Sequence, residues 1–259
     1  MDLGIAGRKA IVCASTQGLG FACAEALLRE GCEVFINGRD AERTERIAKQ
    51  LGSAHQMSVK AIAADINTNE GRTLLLAACP EPDILINNNI GPPPSKLESW
   101  DEAAWMHALE RNFFPGALLM RAVIPSMRER KFGRIVNITS AMVKSPHPEM
   151  GLSAAARTAL TAMSKALARD CIVDNVTINN LLPERFDTPR QEFMAKRMMQ
   201  QEGITRDQAR AKIAATLPAN RLGQPEEFGQ ACAFICSAKA GFMTGQNLQL
   251  DGGSYIGLI

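Results

Sequence analysis

Short apolar runs alternate along the chain with longer stretches in which apolar residues recur every three or four positions. The short runs are rich in β-formers and predict buried strands, whereas the longer stretches predict helices that pack by one face. Because strand and helix patterns alternate throughout, we expect a single α/β domain over 1–259, with a parallel sheet covered by helices on both faces. Strands are expected at Lys9–Ala14, Cys32–Asn37, Val59–Ile66, Ile84–Asn88, Arg134–Thr139, Val176–Leu182 and Gln246–Leu250.

The longest predicted helix runs from about Asp101 to Lys131. Pro115 lies inside this stretch and leaves the carbonyl of Arg111, four residues back, without its helical donor, so we expect a kink there. The apolar face of the helix comprises Met106, Leu109, Phe113, Ala117, Met120, Ile124 and Met127.

The segment 184–217 interrupts the alternation, since it is charged, carries three methionines and has no strand pattern. In an open α/β sheet, an insertion that follows the carboxyl end of a strand lies over the ligand crevice. We therefore expect this segment to cover the substrate.

The composition narrows the classes of partner. The net charge of +2 gives no electrostatic reason to expect nucleic acid or an anionic membrane surface. No stretch approaches the roughly 20 apolar residues of a membrane helix, and the N-terminus lacks the apolar core of a signal peptide. The seven scattered cysteines show no metal-ligand spacing and are expected to be buried thiols. A cytoplasmic protein without a metal is predicted.

The first strand and helix are joined by a glycine-containing turn, Ser15-Thr16-Gln17-Gly18-Leu19-Gly20. Such a turn brings backbone N–H groups and a helix N-terminus toward a pyrophosphate. The second strand ends in Asn37-Gly38-Arg39, which offers no carboxylate to a ribose 2′-hydroxyl and one guanidinium to a 2′-phosphate. Asp40 is expected to cap the next helix. The pattern favours NADP(H), with a solvated loop charge as the alternative reading of Arg39.

These features, with further motifs in the same order, resemble the short-chain dehydrogenase/reductase family from about Arg8 to Gly253, and most closely its 3-oxoacyl-(acyl carrier protein) reductase-like branch. The family's T-G-x-x-x-G-x-G turn appears as Cys13 to Gly20, with Ala14 in place of the first glycine. Its N-N-A-G motif appears as Asn87-Asn88-Asn89-Ile90. The resemblance implies a doubly wound, Rossmann-type, seven-stranded parallel sheet.

The resemblance also implies which residues contact the cofactor. The adenine-contacting Asp of the family is matched by Asp65, and the Thr that meets the nicotinamide carboxamide is matched by Thr188. The family's P-G motif becomes Pro183-Glu184. The full set of implied cofactor residues is Ala14, Ser15, Gln17, Gly18, Leu19, Gly20, Asn37, Arg39, Asp65, Ile66, Asn88, Arg157, Pro183 and Thr188.

The catalytic positions depart from the family pattern. The catalytic Asn and Ser of the family are matched by Asn112 and Ser140, but the Tyr and Lys of Y-x-x-x-K fall on Ser153 and Arg157. Thr158-Ala159-Leu160 continues the family's helix, which supports this register. The implied catalytic set is therefore Asn112, Ser140, Ser153 and Arg157.

The two replacements change the expected chemistry. In the family, the Tyr is the acid or base on the substrate oxygen, and the Lys holds the nicotinamide ribose. A serine hydroxyl is a poor proton donor near neutral pH, and an arginine does not release its proton in a protein. General acid catalysis is worth about 10²–10⁴-fold, so its loss would slow the reduction of an ordinary ketone.

Three hypotheses follow. The first is an NADP(H)-dependent oxidoreductase that reduces a carbonyl, including a 3-oxoacyl thioester, or oxidises the matching alcohol with a relocated acid such as His147 or Glu149. The second is an oxidoreductase whose substrate needs little acid help, such as an activated carbonyl or a conjugated alkene. The third is a nucleotide-binding paralogue without turnover. Lys144, in the same loop, is expected to be solvated or to meet an acidic carrier, and Tyr255 is too far along the chain to replace the tyrosine.

The family's habit is a homotetramer formed through the long helices and the C-terminal strand. The predicted helix at 153–170 supports this expectation with a small-residue surface suited to close approach, although the same residues suit packing on the sheet within one subunit. This surface comprises Ala155, Ala159, Ala162 and Ala166.

Overall fold

The computed structural model describes residues 1–258, and its seven strands form one parallel sheet in the order β3-β2-β1-β4-β5-β6-β7. The doubly wound prediction is confirmed. The strands are β1 Lys9–Val12, β2 Glu33–Gly38, β3 Val59–Ala63, β4 Ile84–Asn87, β5 Gly133–Ile138, β6 Val176–Pro183 and β7 Asn247–Leu250. The helices are α1 Gly18–Arg29, α2 Ala41–His55, α3 Asn69–Ala78, α4 Glu102–Asn112, α5 Phe114–Glu129, α6 Gly151–Cys171, α7 Pro189–Glu202, α8 Arg206–Ala215 and α9 Pro225–Cys236.

The central strands are buried on both faces, which explains their continuous apolar runs. Successive side chains point to opposite faces of a strand. Val12 accordingly packs in the layer beneath α1 and α9, with Leu27 and Phe228. Ile11 packs in the other layer, beneath α5 and α6, with Met120 and Leu160.

The stretch predicted as one kinked helix is two helices, so that prediction was wrong. Phe113, at φ −120° and ψ −64°, separates α4 from α5. Pro115 lies in the first turn of α5, where its missing N–H leaves no helical hydrogen bond unmade. The proline therefore helps to begin a helix and does not bend one. Met106, assigned to the apolar face, is 45% exposed on α4.

Two helices, α7 and α8, occupy most of the segment 184–217, and it contains no strand, as predicted. They pack on each other through a small apolar cluster of their own, which contains Ala195, Ala209 and Ile213. This helical pair follows the carboxyl end of β6, at the edge of the sheet where ligands bind in folds of this type.

The predicted strand boundaries differ from the observed ones by one to three residues. The largest difference is at β3, which ends at Ala63 because the chain turns at Asp65, whose Oδ1 accepts from the backbone N of Asn67 at 3.0 Å. The seven cysteines are buried free thiols, and burial raises the pKa of Cys13 and Cys32 to about 12. Within residues 1–258, the structure has no helix with the length and apolarity needed to span a bilayer.

Candidate active site

The glycine-containing turn follows β1 at the switch point of the sheet, where β1 lies between β2 and β4. The buried hydroxyl of Ser15 donates to the carbonyl of Val12 at 2.7 Å and accepts from the backbone N of Asn37 at 2.9 Å. A Cβ on Gly20 would lie 2.4 Å from the carbonyl oxygen of Ala14, so only glycine allows this close approach. The turn therefore places the N-terminus of α1 at the crevice where a pyrophosphate binds in this type of sheet.

Asn37 has a different position from the one expected. Its side chain is buried, with Oδ1 accepting from the N of Ala14 at 3.2 Å. Its Nδ2 donates to the carbonyls of Ile62 and Ala64 at 3.2 and 2.9 Å. Both N–H groups and the oxygen of this amide are engaged by backbone groups, so Asn37 ties the ends of β1, β2 and β3 together.

Arg39 lies exposed just beyond β2. Arg43, four residues later in the first turn of α2, is half-buried. Its Nη2 donates to Oε1 of Gln17 at 2.5 Å. Nε of Arg43 is buried without a partner. Two arginines therefore border the end of β2 where a 2′-phosphate binds. Arg43 was not predicted as a cofactor residue, although its place three residues after the Asp40 cap marked it as part of the first turn of α2.

The other implied cofactor residues lie at or just after the carboxyl ends of strands or, for Leu19, in α1. Nδ2 of Asn88, just after β4, donates to the carbonyl of Ala14 at 3.2 Å. Asp65 and the buried Ile66 lie in the turn after β3. Pro183 ends β6, and Thr188 precedes α7 directly above the glycine turn, since a Cβ on Gly18 would lie 3.6 Å from its side chain. Leu19, in α1, packs partly buried against the core.

Ser153 and Arg157, the two positions at which the sequence departs from the family pattern, are joined by a hydrogen bond. Nε of Arg157 donates to Oγ of Ser153 at 3.3 Å, one helical turn apart on α6. Nη1 of Arg157 donates to the carbonyls of Ile138 and Thr139, both at 2.9 Å, and Nη2 donates to that of Asn89 at 3.3 Å. Four of the five guanidinium N–H groups are thus engaged by the protein, which leaves one on Nη2 for another ligand.

No carboxylate lies within ion-pair distance of Arg157 in the part of the chain that the structure describes. Burial, with a smaller contribution from the charge of Arg190, lowers the pKa of Arg157 to about 10. The guanidinium therefore remains charged at neutral pH and acts as a fixed cation below the ends of β4 and β5.

Ser140 and Asn112 stand beside this pair. Ser140 follows β5, and its Oγ accepts from the N of Met142 at 3.2 Å. Asn112 ends α4, and its Nδ2 donates to the carbonyl of Ile90 at 3.4 Å. A Cβ placed on Gly91 would lie 3.1–3.4 Å from Ser153 Oγ, Asn112 Oδ1 and Arg157 Nη2, so these three groups converge on one point.

His147 and Glu149, the titratable residues considered as a relocated acid, have other partners. His147 is exposed, and its Nδ1 accepts from the N of Glu149 at 3.2 Å. Glu149 is paired with Arg197 at 3.6 Å. Lys144 is half-buried, and its Nζ donates to Oε1 of Gln249 at 3.1 Å and lies 5.0 Å from the ring centre of Tyr255 beyond β7. Neither acid has a contact with Ser140 or Ser153 in the described residues.

The chain matches the sequence model of a family described as enoyl-(acyl carrier protein) reductase over residues 13–255. It is 33% identical over 258 residues to the uncharacterized oxidoreductase YvaG of Bacillus subtilis, covering 98% of both chains. It is 32% identical over 250 residues to dehydrogenase/reductase SDR family member 4 of Bos taurus, covering 95% of this chain and 86% of that one.

Among solved structures, L-sorbose reductase from Gluconobacter frateurii, complexed with NADPH and L-sorbose, superimposes with a TM-score of 0.94. The two sequences are 27% identical, and the match covers the whole of each chain. Sequence, fold and the order of the motifs agree: the chain belongs to the short-chain dehydrogenase/reductase family.

Proposed function

We propose that this protein is an NADPH-dependent reductase whose preferred acceptor is a carbon–carbon double bond conjugated with a carbonyl group. Simple ketones and 3-oxoacyl thioesters are slower substrates of the same site. The single observation that carries the proposal is the hydrogen bond from Arg157 to Ser153, which replaces the proton-donating pair of the family with a pair that does not titrate near neutral pH.

The cofactor assignment rests on charge at the end of β2. Arg39 and Arg43 supply two guanidinium groups, and the buried Nε of Arg43 lacks an internal partner. Asn37 offers no carboxylate that would repel a 2′-phosphate. The residues present therefore fit NADPH, which supplies the hydride when it is bound, and the complex of the structural relative with NADPH supports the same choice.

Two serine hydroxyls are available to the substrate oxygen. Oγ of Ser153 accepts from Arg157, and Oγ of Ser140 accepts from Met142 N, so each serine keeps its own proton for donation. The bond from a charged guanidinium polarises the Ser153 hydroxyl and strengthens it as a donor. The pair is suited to hold a carbonyl oxygen on which negative charge develops.

This arrangement favours a conjugated acceptor over an isolated ketone. Hydride addition to a ketone places the full charge on one oxygen, and that alkoxide needs a proton from an acid. Hydride addition to the β-carbon of an unsaturated carbonyl compound moves the electron pair through the former double bond to the carbonyl oxygen. The resulting enolate is a weaker base, which two hydroxyl donors stabilise, and its α-carbon then takes a proton from water.

Asn112 retains a role in this scheme as an acceptor. Its Oδ1 and that of Asn87 are buried without partners, and both residues line a small cavity that also contacts Arg157. The cavity has room for one water molecule, which could donate to both oxygens and accept from the remaining N–H of Arg157. Such a water would hold the guanidinium in place and leave Ser153 free to serve the substrate.

The homotetramer expected from the family is part of the proposal, as is a cytoplasmic location. Ala155 and Ala162 on α6 are exposed, so they are not used for packing on the sheet. The helices α4 and α5, which contact α6, also carry exposed apolar side chains, namely Trp105, Met106 and Phe114. Sedimentation at micromolar concentration should show an oligomer, and a monomer would contradict this part of the proposal.

The test is a turnover screen of the purified protein with NADPH and matched acceptors. Benzylideneacetone and its saturated ketone, 4-phenyl-2-butanone, differ only in the conjugated double bond. We expect reduction of the double bond in the first at a rate at least tenfold above carbonyl reduction in the second. Faster reduction of the saturated ketone would favour a relocated acid, whereas NADPH binding without turnover of any acceptor would favour a regulatory paralogue.

A further inference from the structure

A cationic face of α7 closes the crevice above the catalytic pair. Arg190 and Arg197 are seven residues apart, which places them on one side of the helix about two turns from each other. Nη2 of Arg190 reaches the carbonyl of Pro92, in the loop after β4, at 3.5 Å. Arg197 pairs with Glu149, in the loop after β5, at 3.6 Å. The helix thus spans from the glycine turn to the loops that carry the catalytic residues.

The guanidinium of Arg190 has few partners among the described residues. It is half-buried, and its only hydrogen bond is the long one to Pro92 in the part of the chain that the structure describes. Its guanidinium also lies over the face of the Phe193 ring, 5.6 Å from the ring centre. No carboxylate lies within ion-pair distance of it among residues 1–258. A half-buried guanidinium that uses so few of its five N–H groups is available to an anion.

The neighbours of Arg190 make the local charge more positive. It interacts electrostatically with Arg157 on one side and with Arg197 on the other. Burial, and then the charge of Arg197, lowers the pKa of Arg190 itself. Among residues 1–258, Arg197 is the one of these three guanidinium groups that has a carboxylate partner. Like charges brought together without a counter-ion are unfavourable in the free protein, so this cluster favours a ligand with negative charge.

We propose that Arg190, with Arg197 beside it, binds a carboxylate group of the substrate, which makes the substrate an unsaturated carboxylic acid or 2-oxo acid. The phosphates of NADPH are the other possible source of negative charge. They belong to the N-terminus of α1 and the end of β2, whereas Arg190 reaches the carbonyl of Pro92, next to Gly91 and the point on which Ser153 and Arg157 converge. This proposal rests on the proposed function for one point, which is the location of the site of reduction.

The experiment compares benzylidenepyruvate with benzylideneacetone, which has a methyl group in place of the carboxylate. Binding to the protein–NADP⁺ complex is measured by calorimetry, so that the result does not depend on turnover. The native protein should bind the acid at least tenfold more tightly than the neutral ketone. Arg190→Ala should remove that preference, Arg190→Lys should restore part of it, and neither variant should change NADPH affinity by more than twofold.

The matched control is Arg121→Ala, which removes an exposed arginine of α5. This variant should keep the full preference for the acid. The proposal is overturned if native protein binds acid and ketone equally, or if Arg190→Ala weakens NADPH tenfold and leaves the acid preference intact, since the guanidinium would then serve the cofactor. If no acceptor is turned over but the acid preference and its dependence on Arg190 are present, the proposed reduction fails and the carboxylate site stands.

Discussion

Asn137 of β5 and Asn180 of β6 lie opposite each other in the sheet, and Nδ2 of Asn137 donates to Oδ1 of Asn180 at 3.0 Å. Hydrogen bonds between facing asparagines continue to the neighbouring strand on each side. Asn87 of β4 donates to Asn137 at 2.8 Å, and Asn180 donates to Asn247 of β7 at 2.8 Å. Four asparagines therefore form one hydrogen-bonded row across four strands, next to the ends that carry Ser140 and Asn88. The row fixes the register of the strands beneath the catalytic residues.

Removal of Asn137 should destabilise the protein more than any other change in this row. Asn137→Ala leaves Nδ2 of Asn87 and Oδ1 of Asn180 unpaired in the core, and each such group costs about 1–3 kcal/mol. It also removes one hydrogen bond of Ser164, which keeps its bond to the carbonyl of Leu160. We expect the free energy of unfolding in urea to fall by at least about 3 kcal/mol. Asn247→Ala, at the half-exposed end of the row, is the control and should cost about 1 kcal/mol or less. Equal losses in the two variants would contradict the role of the central asparagine.

Ala14 should tolerate glycine with a gain in stability. It has φ +46°, a left-handed conformation that costs an L-residue roughly 1–2 kcal/mol and glycine much less. Because glycine also loses more chain entropy on folding, we expect Ala14→Gly to raise the free energy of unfolding by up to about 1 kcal/mol. Ala211→Gly, on the exposed side of α8, should lower it by about 1 kcal/mol. A destabilised Ala14→Gly protein would show that the methyl group packs usefully in the turn.

Both arginines at the end of β2 should contribute to the choice of cofactor. Charge-assisted hydrogen bonds are worth roughly 1.5–3 kcal/mol, so Arg39→Ala and Arg43→Ala should each weaken NADPH by at least fivefold and leave NADH unchanged. Fluorescence titration of both nucleotides measures this directly. Arg46→Ala, one turn further along α2, removes an exposed guanidinium and should have no effect. Equal affinity of native protein for NADPH and NADH would defeat the assignment of the 2′-phosphate site.

The parts of the structure that the sequence predicted are those set by local pattern. Apolar runs such as Ala10–Val12 predicted a parallel sheet covered by helices, and the glycine turn at Gly18–Gly20 predicted the nucleotide end, whereas the doubly wound arrangement followed from the resemblance to the family. The break at Phe113 was missed because the apolar period continues through it while the backbone leaves the helix. Periodicity reports which face is buried and does not report whether the helix is continuous.

The hydrogen-bond partners of individual polar side chains could not be predicted from the sequence. Asn37 was expected to be a cofactor residue, and its amide is engaged by three backbone groups, at Ile62 in β3 and just beyond the ends of β1 and β3. Arg157 was expected to hold a ribose, yet most of its N–H groups bond to carbonyls at the ends of β4 and β5. A hydrogen bond between segments far apart in sequence depends on the packed geometry, so residue type and spacing alone do not reveal it.

The rate of the native enzyme should depend little on pH. The guanidinium of Arg157 has a pKa lowered to about 10 by burial, so it remains protonated through pH 6–9, and the two serines do not titrate in that range. We expect kcat/KM for the conjugated acceptor to vary by less than about threefold over this interval. A clear break in the profile that disappears in His147→Gln would instead assign a relocated acid to His147.

Restoring the family's pair should convert the enzyme into a better reductase of ordinary ketones. A tyrosine at 153 would extend by a ring beyond the present position of Ser153 Oγ, which lies beside Gly91 at the point where Asn112 Oδ1 and Arg157 Nη2 also converge. A lysine at 157 keeps a charge near the carbonyls that now hold the guanidinium. A regained general acid is worth about 3–5 kcal/mol, or roughly 10²–10⁴-fold in rate.

The double variant Ser153→Tyr with Arg157→Lys is therefore expected to reduce 4-phenyl-2-butanone faster than native protein by at least tenfold, with a rate that falls as the new tyrosine loses its proton at high pH. Ser153→Phe with Arg157→Lys is the matched control, since it adds the ring without the hydroxyl and should gain nothing. If the tyrosine variant binds NADPH as native protein does and remains inert, the retained Ser140 and Asn112 do not position a carbonyl, and the nucleotide-binding paralogue becomes the better account.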